Sequence, residues 1–122
     1  SPSRVEEKLN IEPEIAQSMM YGDFKNYLVA IIVPDKDLAL QWANDHGKKP
    51  DLASLIKDGD FIKMMKDVTA KVNNNLSAIE QVRKFLLVEE EFTIENDMMT
   101  PTMKVKRFKV KNTYKDQLEN LY

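Results

Sequence analysis

Residues 96–110, NDMMTPTMKVKRFKV, place one lysine directly behind Thr-Pro-Thr-Met and then alternate basic and apolar residues. The cluster comprises Lys104, Lys106, Arg107, Lys109 and Lys111. Three chemistries fit it. An edge strand carries lysines to keep other strands from pairing with it. A nucleic-acid surface also needs cations, although only Phe108 offers a stacking platform here. A single ammonium at a loop tip can serve a reacting phosphate, because a point charge with three donors lowers repulsion between anions. Residue types and spacing leave all three open. Pro101 fixes one φ angle and stiffens the approach to Lys104.

The other chemistry-bearing residues read more simply. His46 is the sole histidine and precedes Gly47 near an expected helix end. A cation there suits the helix dipole, so a surface or capping role is expected. The run Glu89-Glu90-Glu91 is expected to be a solvated strand end, because metal sites need convergent ligands rather than a plain run. Met64 and Met65 fall on a helical stripe and read as core. Met98, Met99 and Met103 flank the loop, where exposed apolar side chains would make a docking surface. Trp42, among Leu38, Leu40 and Ala43, reads as half-buried packing. No metal motif, nucleophile triad or glycine-rich phosphate loop is present.

The elements that must position these residues follow from periodicity. Ser1-Pro2 reads as a helix cap followed by proline in the first turn. Val5 and Leu9 then share a face, and Pro13 breaks the element. IAQSMMYG (15–22) and YLVAIIVP (27–34) read as two strands joined by the polar turn GDFKN. The second is continuously apolar, which predicts a central strand covered on both faces. Pro34 ends it, since proline cannot donate to the ladder. Residues 35–47 form a helix with an acidic start and a glycine stop. Residues 51–57 form a short helix. Residues 60–76 carry an apolar stripe of Phe61, Met64, Met65, Val68, Val72 and Leu76 at helical spacing. KFLLVEE (84–90) is a third strand, Asn96-Asp97 a turn, and KVKRFKV a short fourth strand. Asn112 caps a last helix with Tyr114, Leu118 and Leu121 on one side. The class predicted is α+β, a small sheet of three to four mainly antiparallel strands packed with helices.

Composition narrows the function classes. The 122 residues suit one domain, 1–122, and at 43% hydrophobic and 31% charged they can build a core. A net charge of −2 and a pI near 5.5 argue against a nucleic-acid partner. With no cysteine, disulfides and thiolate metal sites are excluded, which fits a reducing compartment. No apolar run approaches the roughly 20 residues needed to cross a bilayer, and no signal peptide is visible. A cytoplasmic location is expected. The chain starts at Ser1, without methionine, on an expected helix cap, as a fragment of something longer would.

Two stretches carry a family resemblance. SPSRVEEKL with IAQSMMYGDFKNYLVAIIVPD resembles the C-terminal domain of AMP-forming acyl-CoA synthetases, in the adenylate-forming superfamily. VRKFLLVEEEFTIENDMMTPTMKVKRFKV with YKDQLENLY is similar to the end of the long-chain fatty acid–CoA ligase branch. The resemblance covers nearly the whole chain in motif order. It implies a small mobile lid closing over a large N-terminal domain that holds ATP, Mg²⁺ and the fatty acid. That domain and the hinge are absent from this sequence. In such enzymes a carboxylate attacks the α-phosphate of ATP to give acyl-AMP and pyrophosphate. The lid then rotates, and the thiol of coenzyme A displaces AMP.

The resemblance assigns the adenylation lysine to Lys104. Thr100, Pro101, Thr102 and Met103 would support its loop, and Arg107 would anchor the strand or the contacts of the lid. Lys106, Lys109 and Lys111 remain solvated charges. No metal site is expected in this chain. The implied partners are the N-terminal domain of the same enzyme, with fatty acid, ATP and coenzyme A as substrates. Nucleic acid and a transmembrane segment are not expected, whereas peripheral membrane association of the complete enzyme suits a lipid substrate. The isolated domain should be inactive. The alternative is a non-catalytic interaction module with the same fold. Many relatives have glycine where this chain has Met103, and Asn-Gly where it has Asn96-Asp97. Aspartate tolerates the left-handed conformation less well than glycine, so a different turn is expected there.

Overall fold

A computed structural model describes residues 2–22 and 25–122. Ser1, the expected cap, and Asp23 and Phe24, in the expected polar turn, lie outside the described residues. Helix α1 (Pro2–Asn10) buries Val5 and Leu9, one turn apart. It stops at Asn10, short of Pro13. The Glu12 N–H turns back to the Leu9 carbonyl at 3.0 Å, and the Asn10 side chain accepts from the Ser18 hydroxyl at 2.8 Å.

Strands β1 (Ile15–Tyr21) and β2 (Leu28–Pro34) pair antiparallel. The chain then runs through α2 (Lys36–Asp45), α3 (Leu52–Leu55) and α4 (Gly59–Asn73) before β3 (Val82–Leu87). β3 joins β2 in parallel, so the sheet is mixed, in the order β1-β2-β3. A parallel neighbour needs a long crossover, and the intervening segment, with its three α-helices and a 3-10 turn at Ala78–Glu80, supplies it. The antiparallel part of the expectation therefore holds for β1–β2 alone.

β2 shows why its sequence is continuously apolar. Its side chains alternate between faces. Ala30 and Ile32 enter one core with Val5, Leu9, Phe61, Met65 and Val72. Val29, Ile31 and Val33 enter a second core with Met19, Phe92, Met98, Val110 and Leu118. The predicted stripe of α4 lies in the first core, with Met64 only partly buried against it and Leu76 buried just past the helix end. Three helices start on aspartate caps: Asp35 accepts from Leu38 N–H at 3.0 Å, Asp51 from Ser54 N–H at 3.2 Å, and Asp58 from Phe61 N–H at 3.0 Å. Such caps satisfy N–H groups that the helix itself leaves open.

The C-terminal third departs from expectation. The segment 104–110 is not a fourth strand. Only Val105 bridges to Met99, and helix α5 (Arg107–Thr113) begins two residues later. Phe108 is 75% exposed whereas Val110 is fully buried. On a strand these two would share a face; on a helix they point to opposite sides. Asn112 lies inside α5 rather than capping a helix, and the break falls at Tyr114, before α6 (Lys115–Glu119). Tyr114, Leu118 and Leu121 do share one side, all packed in the second core.

Candidate functional site

The Lys104 loop is built outward from buried anchors. Phe92 enters the second core just past β3. The Gln17 side-chain amide on β1 donates to the Phe92 carbonyl at 2.9 Å and accepts from its N–H at 2.7 Å. The same amide nitrogen lies 3.7 Å from Met99 Sδ. Asn96 then staples the next turn. Its side-chain oxygen accepts from the N–H groups of Thr93 and Met98 at 3.0 Å each, and its nitrogen donates to the Glu91 carbonyl at 2.8 Å. Asp97 adopts φ +66° despite not being glycine, so the left-handed turn is kept. Its carboxylate pairs with the Lys106 ammonium, which holds the Asp97 carboxyl below the usual range.

Met98 and Met99 are buried, so they belong to the core rather than to a docking surface. The chain beyond them forms a hairpin tip. Met99 bridges Val105, and the Lys106 N–H reaches the Met98 carbonyl at 2.7 Å. Pro101 and Thr102 occupy the corner of a turn closed by Met103 N–H on the Thr100 carbonyl at 2.8 Å. Proline suits the first corner position because its fixed φ matches the turn. Thr100 works twice more. Its N–H donates to the Lys104 carbonyl at 2.8 Å, and its hydroxyl accepts from the Lys104 N–H at 3.1 Å while sharing a hydrogen bond with Thr102 at 3.0 Å. Met103 sits at φ +66° and is 63% exposed. It takes the backbone conformation that glycine adopts freely.

Lys104 follows this turn and is exposed. The backbone of the tip is thus pinned on both sides, while the Lys104 ammonium has no hydrogen-bond or ion-pair partner among the described residues. The neighbouring cations are differently placed. Lys106 is committed to Asp97. Lys111 lies over the Tyr21 ring at 5.6 Å from its centroid. Arg107 turns away to α1, where its guanidinium grips the Glu6 carboxylate with two hydrogen bonds, one of 2.6 Å from Nη1 and a second from Nη2. Glu6 also accepts the Met20 N–H at 2.7 Å, which ties α5, α1 and β1 together. A bidentate guanidinium–carboxylate pair fixes orientation as well as charge. Asn96 stands where the sequence marks a turn, whereas Gln17 and Glu6 carry no such mark. An Asn beside Asp signals a turn, but nothing local marks a glutamine or glutamate that closes over long separations.

The remaining candidates stay structural. His46 caps the end of α2, its backbone N–H on the carbonyls of Ala43 and Trp42, and its ring stacks on Trp42 at 4.3 Å. Trp42 is half-buried and meets the Phe61 edge at 5.3 Å. Glu89, Glu90 and Glu91 are exposed beyond β3. Among the described residues no three His, Cys, Asp or Glu side chains converge as a metal site. Among the described residues no helix is long and apolar enough to cross a membrane.

This fold recurs in known adenylating proteins. The adenylation domain of a carboxylate reductase from Mycobacterium chelonae superposes with a TM-score of 0.79 at 28% identity, over 98% of this chain and 17% of that one. The corresponding domain from Segniliparus rugosus, solved with AMP and a co-purified carboxylic acid, gives 0.75 at 28% identity over 99% of this chain and 18% of that one. No family model matches the chain. Curated relatives do. The long-chain-fatty-acid–CoA ligase 1 of Homo sapiens is 30% identical over the whole chain, as is FadD15 of Mycobacterium tuberculosis, a ligase of the same name class. The chain spans only 18% and 21% of their respective lengths. It is a domain-sized homologue of one segment of long-chain-fatty-acid–CoA ligases, within the adenylate-forming superfamily.

Proposed function

We propose that this chain is the mobile C-terminal lid of an AMP-forming long-chain fatty acid–CoA ligase, and that Lys104 is its adenylation lysine. The observation that carries this reading is the exposed Lys104 ammonium, unpartnered among the described residues, at a tip whose backbone is held by Thr100 and Met99. The homology along the full chain supplies the reaction class.

On this reading the N-terminal domain of the same enzyme binds ATP, Mg²⁺ and the fatty acid, and the lid brings only the lysine. The fatty carboxylate attacks the α-phosphate, the P–O bond to pyrophosphate breaks, and acyl-AMP forms. Both reactants are anionic. The ammonium of Lys104 lowers their repulsion and hydrogen-bonds the carboxylate and bridging oxygens as charge redistributes. Placing the lysine on a lid couples the chemistry to closure and to exclusion of water. The coenzyme A thiol then attacks the acyl carbon and expels AMP, in a lid position that needs no Lys104. Thr100, Pro101, Thr102 and Met103 set the height of the tip. Arg107 holds the lid together through Glu6 instead of touching substrate.

Lys104→Ala in the full-length enzyme tests this. Fatty-acid-dependent pyrophosphate release should fall by about a hundredfold or more, while supplied acyl-AMP should still be converted to acyl-CoA. Survival of both half-reactions would leave the fold and remove the role of Lys104, which favours a non-catalytic interaction module.

A further inference from the structure

A groove of about 560 Å³ runs beside β3, and no residue of the Lys104 loop lines it. It touches Val82, Arg83, Lys84 and Phe85 in succession. Neighbouring strand residues point to opposite faces, so a groove that meets all four lies along the strand's edge. Ile62, Lys66 and Asn73 of α4 form one wall, and Leu121 forms the other. That second wall is tied down by the Tyr27 hydroxyl on the Leu121 carbonyl at 3.1 Å.

On the outer edge of β1 the Glu6 carboxylate accepts the Met20 N–H. On β3, among the described residues, the side-chain bonds to the outer edge fall on the first residue. Asn73 donates to the Val82 carbonyl and accepts from its N–H, both at 2.9 Å, as a peptide group of a fourth strand would. Among the described residues no strand follows on that side. An unpaired edge is a template for another strand.

The charge around the groove selects what can pair there. Lys66, Arg83 and Lys84 are all exposed at its rim, and no acidic residue lines it. The Arg83 guanidinium leans on the Ala78 carbonyl at 3.1 Å, and the Lys84 ammonium lies 6.0 Å from the centre of the Tyr27 ring. A second copy would bring the same three cations against each other, and like charges across strands repel. The Lys104 tip is tethered to β1 through Gln17 and to α1 through Arg107, with β2 between it and this groove. Both surfaces can therefore be occupied at once. We propose that the outer edge of β3 accepts an extended acidic segment of a separate protein as a fourth strand, its carboxylates facing Lys66, Arg83 and Lys84 and its apolar side chains facing Ile62, Phe85 and Leu121. This does not depend on the ligase reading.

The test is a titration of the ¹⁵N-labelled chain with a synthetic peptide of repeating Glu-Glu-Val-Val, which as a strand presents both residue types on each face, beside the matching Lys-Lys-Val-Val peptide. The acidic peptide should shift the amides of residues 83–87, and Lys66→Glu combined with Lys84→Glu should weaken it about tenfold. Both substitutions lie on exposed side chains, and an unchanged spectrum elsewhere checks the fold. The proposal is overturned if the edge amides stay still, if the Lys-Lys-Val-Val peptide binds equally, or if the double variant binds unchanged. It also fails if decanoate or vesicles of anionic phospholipid shift these amides while the peptide does not, since the groove would then serve an amphiphile. Concentration-dependent dimerisation through the same amides would assign the edge to a second copy and equally sink it.

Discussion

Met103 holds a left-handed backbone conformation that costs an L-residue roughly 1–2 kcal/mol and leaves its side chain largely in solvent. Met103→Gly is therefore expected to raise stability by about 1 kcal/mol, read by urea denaturation. A loss of stability would mean that the methionine side chain contributes contacts outweighing the strain. Asp97 shares the conformation but adds a charge pair. Its carboxyl is held low in the folded protein by Lys106. The pair's contribution is thus complete above the ordinary aspartate range near pH 4 and disappears as pH falls through the depressed folded value. Amide exchange at Met98 and Lys106 should accelerate in that acidic window in the native chain. In Asp97→Asn it should show no such step.

At the scale of elements, α5 makes the sharpest test. Phe108→Asp should leave stability within about 0.5 kcal/mol of the parent, because the ring is in solvent. Val110→Ala, two residues on, should cost about 2 kcal/mol through the cavity it leaves. Equal costs would restore the strand reading. This is also where the sequence was hardest to read. K-V-K-R-F-K-V alternates well enough for a strand, and the single buried residue of α5 is too sparse to reveal a helical period. α4 and β2 were legible for opposite reasons. α4 repeats its apolar positions over four turns, and β2 has no polar residue to leave its facing in doubt. The candidate site was half legible. The tip residues stand together in the chain, whereas the groups that brace them come from α1 and β1, brought close only by the finished sheet.

The whole molecule is two cores sharing one wall. β2 sends alternate side chains into both, so neither core can be lost while the other keeps its full lining. Natural probes separate them. The single tryptophan, Trp42, packs on the first core, while Tyr21, Tyr27 and Tyr114 pack on the second. Tryptophan fluorescence and tyrosine absorbance should therefore show one coincident urea transition. Two midpoints would mean that β2 fails to couple its faces.

The Gln17 bridge to Phe92 spans 75 positions of chain, and the Glu6–Arg107 clasp spans 101. Contacts that close such long loops bear a large entropic cost and form only after nearer ones have drawn the ends together. During synthesis, β1 and β2 can pair while α4 is still being made, but the lysine tip has nothing to lean on until Phe92 and Arg107 have left the ribosome. The Lys104 loop is accordingly among the last parts to take shape, and a chain stalled before Arg107 would present a formed sheet with an unfinished tip.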